Sequence, residues 1–278
     1  MSYKKILIPI DFSECSINAL KYAINLAKST EAKLALLHAY HVPIPMAEAG
    51  LTIDPNLAEE FVEEGEQKMN ELFKQFPELD KLANSYSIKM AFASEAIVAH
   101  AEETNADLII MGTHGASNAF DEMVGSNTLH VIKKCHIPVL AVPVNYTGEK
   151  VSEILFSYDY HSLKNKKIIQ PLIDFVLGFG AKLHIIHVAD RVEALSSHEV
   201  DEARMLEQYL KGIPHSYHMI EDEHVERGIL DYIESHSVDV LAVMPRKHTL
   251  FQRLFQSSVT KQLVHHSSIP LLAFPEGN

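Results

Sequence analysis

The sequence predicts an α/β fold built as two similar doubly wound domains, each a five-stranded parallel sheet flanked by helices. Three observations carry this reading. Short apolar runs alternate with segments of helical periodicity, the second half of the chain repeats the first, and glycines gather in one strand–loop–helix stretch from Asp107 to Pro143. Alternation of this kind gives a parallel sheet with right-handed crossovers, and ligands bind such sheets at the carboxyl ends of the strands.

The first strand is the continuous apolar run Lys5–Ile10, closed by the turn and cap residues Asp11-Phe12-Ser13. A helix follows from about Ser13 to Lys28, with Ile17, Leu20, Ile24 and Ala27 at helical spacing and either Ser13 or Asp11 available as its cap. Lys33–Ala39 reads as a second buried strand. His41–Asn56, with three prolines and a glycine, is too irregular for a regular element and reads as a long surface loop. The next helix spans Leu57–Phe76, its stripe being Leu57, Phe61, Met69, Leu72 and Phe76, and its glutamate run a solvated face. Ile88–Ala93 is assigned as strand three, Ser94-Glu95 as the opening of helix three, Asp107–Met111 as strand four, a helix after Ser126 as the fourth, and Ile137–Val142 as strand five.

The chain has 278 residues, 47% hydrophobic and 22% charged, which suits two soluble domains at about 100–200 residues each. A net charge of −13 argues against a nucleic-acid surface or an anionic membrane, either of which demands clustered Lys and Arg. Cys15 and Cys135 are the only cysteines; they suit a reducing compartment and read as small buried residues. The first residues do not read as a signal peptide, and no apolar stretch reaches the ~18 residues of a membrane helix, so the expected location is cytoplasmic.

Asp107–Pro143 lies over Asp239–Pro275 without a gap at a constant offset of 132 residues. Asp107, Ser126, Thr128, Pro138, Leu140, Ala141 and Pro143 meet identical residues there; Ile6–Asp11 answers Ile154–Asp159, and Ala32–His38 answers Ala181–His187. The expected domains are 1–144 and 151–278, joined by the polar linker 145–150. The copies disagree at the glycines: Gly112, Gly115 and Gly125 correspond to Met244, Lys247 and Ser257, with Pro245 added. Those residues resist positive φ and put side chains where a pyrophosphate touches backbone.

Gly112-x-x-Gly115, nine further residues, and then Gly125-Ser126, with Asp11 after the first strand, resemble the nucleotide-binding signature of the universal stress protein family. The whole chain is similar to a tandem member with two fused domains. The resemblance implies ATP or a related adenine nucleotide in the first domain, with Mg²⁺ accompanying the phosphates. By position, Pro9, Ile10 and Asp11 then border the adenine, Ala39 offers backbone to the base and Met111 lines the same pocket. Gly112 lies by the ribose, and the N–H groups of His114, Gly115, Gly125 and Ser126, with the Ser126 hydroxyl and Asn127, hold phosphates. Helix N-termini and glycine loops supply such donors.

Simpler roles stand beside these. An aspartate after a strand is often a helix cap, glycines often serve a turn alone, and His114 reads as a rim residue with no partner acid or nucleophile. His265-His266 lies on an expected helix where neighbours diverge, so metal chelation is not expected. The loop Pro245-Arg246-Lys247-His248 reads either as solvated or as a holder of another anion. No nucleophile–base pair, metal set or Walker Gly-Lys-Ser/Thr appears, so an ATP-binding regulator without rapid hydrolysis is favoured over a non-nucleotide interaction scaffold. The resemblance also implies an internal pseudo-dimer joined through Val139–Val142 and Leu271–Phe274, with scope for a homodimer.

Overall fold

A computed structural model of the chain describes residues 3–41, 55–113, 126–148, 150–160, 163, 166–191, 196–244 and 269–274. The first half runs β1 (Lys5–Pro9), α1 (Glu14–Thr30), β2 (Lys33–Tyr40), α2 (Pro55–Gln75), the single turn α3 (Leu79–Leu82), β3 (Ala83–Met90), α4 (Ala93–Thr104), β4 (Leu108–Gly112), α5 (Ser126–Lys134) and β5 (Val139–Val142). The second runs β6 (Glu153–Ser157), α6 (Lys166–Phe179), β7 (Lys182–Ala189), α7 (Ser197–Tyr209), β8 (His215–Glu221), α8 (Val225–Ser235), β9 (Val240–Val243) and β10 (Leu271–Ala273).

The ten strands among the described residues form one sheet in the order β3-β2-β1-β4-β5-β10-β9-β6-β7-β8. Every pairing is parallel except one: β5 meets β10 antiparallel, with Leu271 opposite Ala141, Leu272 opposite Leu140 and Ala273 opposite Val139. Each of these strands is the last of its half, and pairing them covers an apolar edge that would otherwise invite aggregation. The join expected between Val139–Val142 and Leu271–Phe274 is therefore present, with Phe274 just past the end of its strand.

Alternation within each strand feeds two cores. In β1, Ile6 and Ile8 face α1, α2, α6 and α7, whereas Leu7 faces the layer of α4, α5 and α8. Both cores contain residues of both halves, so the halves share their interior. Tyr3 seals the seam on one face: its hydroxyl donates to the Pro171 carbonyl of α6 (2.8 Å) and its ring meets Phe175 edge-on at 6.2 Å. The stretch after β5 is pinned as well, because the Asn18 amide donates to the carbonyls of Pro143 (2.8 Å) and Tyr146 (2.9 Å).

Strand three corrects the sequence reading of Ile88–Ala93. β3 starts at Ala83 and ends at Met90, paired with β2 from Leu34↔Ala83 to Tyr40↔Met90. It is an edge strand, and the part before Ile88, with Asn84, Ser85 and Ser87, carries too little apolar signal to be read as a strand. Helix α4 begins at Ala93, one residue before the expected opening, and α3 was not anticipated. His265-His266, the loop Pro245–His248 and the loop from residue 42 to residue 54 lie outside the described residues.

Candidate functional site at the carboxyl ends of β1, β2 and β4

The parallel strands of the first half bring Pro9 at the end of β1, Ile10 and Asp11 just after it, Ala39 in β2, and Met111 and Gly112 in β4 to one end of the sheet. Ile10 extends the ladder by donating its N–H to the Leu37 carbonyl (2.8 Å). The chain then turns sharply at Phe12, whose φ of 62° lies in the left-handed region. That conformation costs a non-glycine residue about 1–2 kcal/mol. The Phe12 ring offsets it by packing on His38 (centroids 4.8 Å apart), and His38 Nδ1–H donates to the Ile10 carbonyl (2.8 Å).

Asp11 is exposed at this turn, and its Oδ1 accepts from both the Ser13 N–H (3.0 Å) and the Ser13 hydroxyl (2.5 Å). Ser13 is the N-cap of α1, its oxygen accepting from Ser16 N–H. Of the two capping candidates, Ser13 caps the helix directly and Asp11 orients the cap.

Gly112 has a different reason from the one its sequence suggests. Positive φ occurs among the described glycines at Gly180 and Gly212, not at Gly112. What Gly112 requires is the absence of a side chain: a Cβ there would lie 2.6 Å from Cys15 Sγ and 2.9 Å from the Cys15 carbonyl carbon. The first turn of α1 thus lies directly against the end of β4. Both cysteines are buried and neither is in a disulfide.

On the other face of the sheet, α5 begins at Ser126, and the buried Thr128 in its first turn donates its hydroxyl to the Gly112 carbonyl (2.9 Å). This bond ties the amino end of α5, where a helix has N–H groups without intrahelical partners and a positive dipole, to the carboxyl end of β4. Asn127 in the same turn is exposed. Thr128 escaped the sequence reading as a site residue, although its identity with Thr260 in the repeat was a usable signal. Of the other expected phosphate holders, His114, Gly115 and Gly125 lie outside the described residues, and Ser126 is described only as the start of α5.

The second half keeps the turn and packs it with larger side chains. Tyr160 repeats the left-handed φ (52°), packs on His187 at 4.8 Å, and His187 Nδ1–H donates to the Tyr158 carbonyl (3.0 Å). Where the first half has Ile10, the second has Tyr158, buried between Phe156 (5.6 Å) and Tyr160 (5.3 Å). Glu202 of α7, only 5% exposed, accepts from the Tyr158 hydroxyl (3.3 Å) and the Leu163 N–H (2.9 Å). Burial, then the nearby Glu199 charge, raises the pKa of Tyr160, so it stays neutral in the physiological range. Met244, the counterpart of Gly112, packs against the core.

Among the described residues, no group of three or more His, Cys, Asp or Glu converges to hold a metal ion, and no helix is long and apolar enough to cross a membrane.

Comparison with known proteins agrees with this geometry. The model of the universal stress protein family matches residues 2–143 and again residues 151–275. Universal stress protein MJ0531 of Methanocaldococcus jannaschii is 36% identical over 143 residues, covering 50% of this chain and 82% of its own. Universal stress protein MJ0577 of the same organism is 32% identical, covering 50% and 94%. The crystal structure of a universal stress protein from Archaeoglobus fulgidus superposes over 100% of this chain and 98% of that one, with a TM-score of 0.74 at 20% identity, a likeness of fold.

Proposed function

Since the chain belongs to the universal stress protein family, matched in both of its halves, we propose that it is a cytoplasmic regulatory protein that binds ATP or a related adenine nucleotide in the first half alone. The domains are then 1–144 and 151–278 with 145–150 between them, and Mg²⁺ arrives with the phosphates, keeping most of its waters. The observation that carries this reading is the end of β4: Gly112 lets the first turn of α1 close against it on one face, and Thr128 holds the first turn of α5 beside it on the other. Pro9, Ile10, Asp11, Ala39 and Met111 then border the base, with Gly112 by the ribose. His114, Gly115, Gly125, Ser126 and Asn127 take the phosphates through N–H groups.

The second half supports the first rather than duplicating it. Tyr158 and Tyr160 are buried after β6, and Glu202 of α7 accepts from the Tyr158 hydroxyl and the Leu163 N–H. Nucleotide occupancy biases conformation or partner choice, and rapid hydrolysis is not expected without a positioned base. Further pairing of two chains into a homodimer remains compatible with this arrangement.

Calorimetry with ATP and Mg²⁺ tests the reading. Wild type gives a binding isotherm, and Gly115→Lys, which places a side chain where phosphate approaches backbone, weakens it at least about tenfold, or ~1.4 kcal/mol. Binding of equal strength in both proteins, or in neither, points instead to an interaction scaffold whose glycines merely shape loops.

A further inference from the structure

The second half holds a cluster of ionisable side chains far from the carboxyl ends of the strands. The register Leu155↔His184↔Ser216 sets neighbouring side chains of β6, β7 and β8 on the face covered by α8. His184 Nε2 bonds to the Glu153 carboxylate at the start of β6. Its other nitrogen, Nδ1, faces His218 Nε2 of the edge strand at 3.2 Å. Two hydroxyls crowd the same spot: Ser216 Oγ is 3.2 Å from His184 Nδ1 and 2.9 Å from His218 Nε2, and the Tyr232 hydroxyl is 3.1 Å from His184 Nδ1. His236 stacks flat on Tyr232 (3.9 Å, 6°) at the end of α8.

Proton counting limits what this arrangement can hold. One proton between the facing ring nitrogens makes a hydrogen bond. Two set N–H against N–H at 3.2 Å, so the ring-to-ring hydrogen bond is lost and only the Ser216 and Tyr232 oxygens are left at hand as acceptors. We propose that the His184–His218 contact is a proton-operated latch for the β8 edge of the sheet, closed while one proton lies between the rings and released when both rings are protonated.

The charges around the pair bear on His218. Among the described residues, Glu153 is the one carboxylate bonded to the pair, and it bonds His184. His218 is disfavoured as a cation by burial first, and then by the charges of His184, His236 and Lys182, which together lower its pKa below the usual histidine value. The remaining groups facing the pair are the Tyr232 hydroxyl, with its pKa raised by burial and then by Glu153, and the neutral Ser216. A histidine with a depressed folded pKa adds stability that is complete above about pH 6.5 and is lost as pH falls through the folded value. On the opposite face of β8, His215 and Tyr217 both bond to Glu207 (2.9 and 3.2 Å). Desolvation lowers the His215 pKa, but its hydrogen bonds to the Ile213 carbonyl and Glu207 outweigh this and raise it, so that contact holds on acidification. The acid-sensitive element is the latch.

Hydrogen exchange of the full chain, corrected for intrinsic rates, tests the proposal between about pH 7.5 and about pH 5.5, either side of the usual histidine pKa. In wild type the amides of β8 and α8 lose about tenfold or more of their protection, the equivalent of about one pKa unit, while the opposite edge at β3 does not. In His218→Gln, which cannot take up a proton, β8 protection is flat with pH. Wild-type β8 protection that stays constant, or an equal loss in His218→Gln, overturns the latch. Should His218→Gln not fold, histidine Cε1 NMR of wild type decides. A His218 midpoint below about 6.5 that tracks the β8 amides supports the latch, and a midpoint at or above that value overturns it.

Discussion

Replacing Gly112 with methionine, the residue that the second half carries at the matching position, destabilises the protein by about 2–3 kcal/mol, and scanning calorimetry records a midpoint lower by roughly 4–10 °C. The cause is local. A Cβ at 112 sits 2.6 Å from Cys15 Sγ and 2.9–3.0 Å from the Cys15 carbonyl carbon and oxygen, so the first turn of α1 has to move. Cys15→Ala in the same chain recovers only part of the loss, because it removes the sulfur contact and leaves the backbone ones. A double-mutant cycle isolates that share, expected at about 0.5–3 kcal/mol for residues in contact. Displacing α1 also moves Ser13 and, through it, Asp11, so nucleotide binding falls together with stability.

Leu272→Asp has the larger effect. Leu272 is fully buried at the one antiparallel pairing of the sheet, opposite Leu140, and belongs to a strand of three residues. The loss of apolar contact plus burial of a charge among the apolar residues described there costs upwards of about 4 kcal/mol. Because both cores draw on residues of both halves, the wild-type chain unfolds in one cooperative step. In Leu272→Asp the halves part company, giving two transitions or a loss of fold. Urea unfolding followed by far-UV circular dichroism suits this chain, which has no tryptophan. A single wild-type-like transition in the variant would show that the junction contributes little.

How far the sequence reached depends on what each residue responds to. β1, β2 and β4 were legible because they are covered on both faces and so read as unbroken apolar runs. β3 was misplaced because an edge strand buries too little to leave such a run. The two halves and their junction followed from the repeat and the family resemblance. Gly112 was singled out for backbone freedom beside a ligand, and the structure has it in close approach to Cys15. Two features left no local signal. The left-handed turns at Phe12 and Tyr160 are occupied by aromatic residues that composition never assigns to positive φ, and each becomes intelligible only with its histidine, His38 or His187, in place. Likewise Glu153, His184, His218 and Tyr232 come from four elements, and only strand register brings them together.

The asymmetry of the two halves is the central claim: one keeps Gly112 at the end of β4 beside α5, and the other has Met244 at that position and a buried Tyr158 held to Glu202. Native mass spectrometry of the full chain with ATP and Mg²⁺ addresses it directly by counting. The account predicts one nucleotide per chain, abolished by Gly115→Lys. Two nucleotides per chain, or one that persists in that variant, would contradict it.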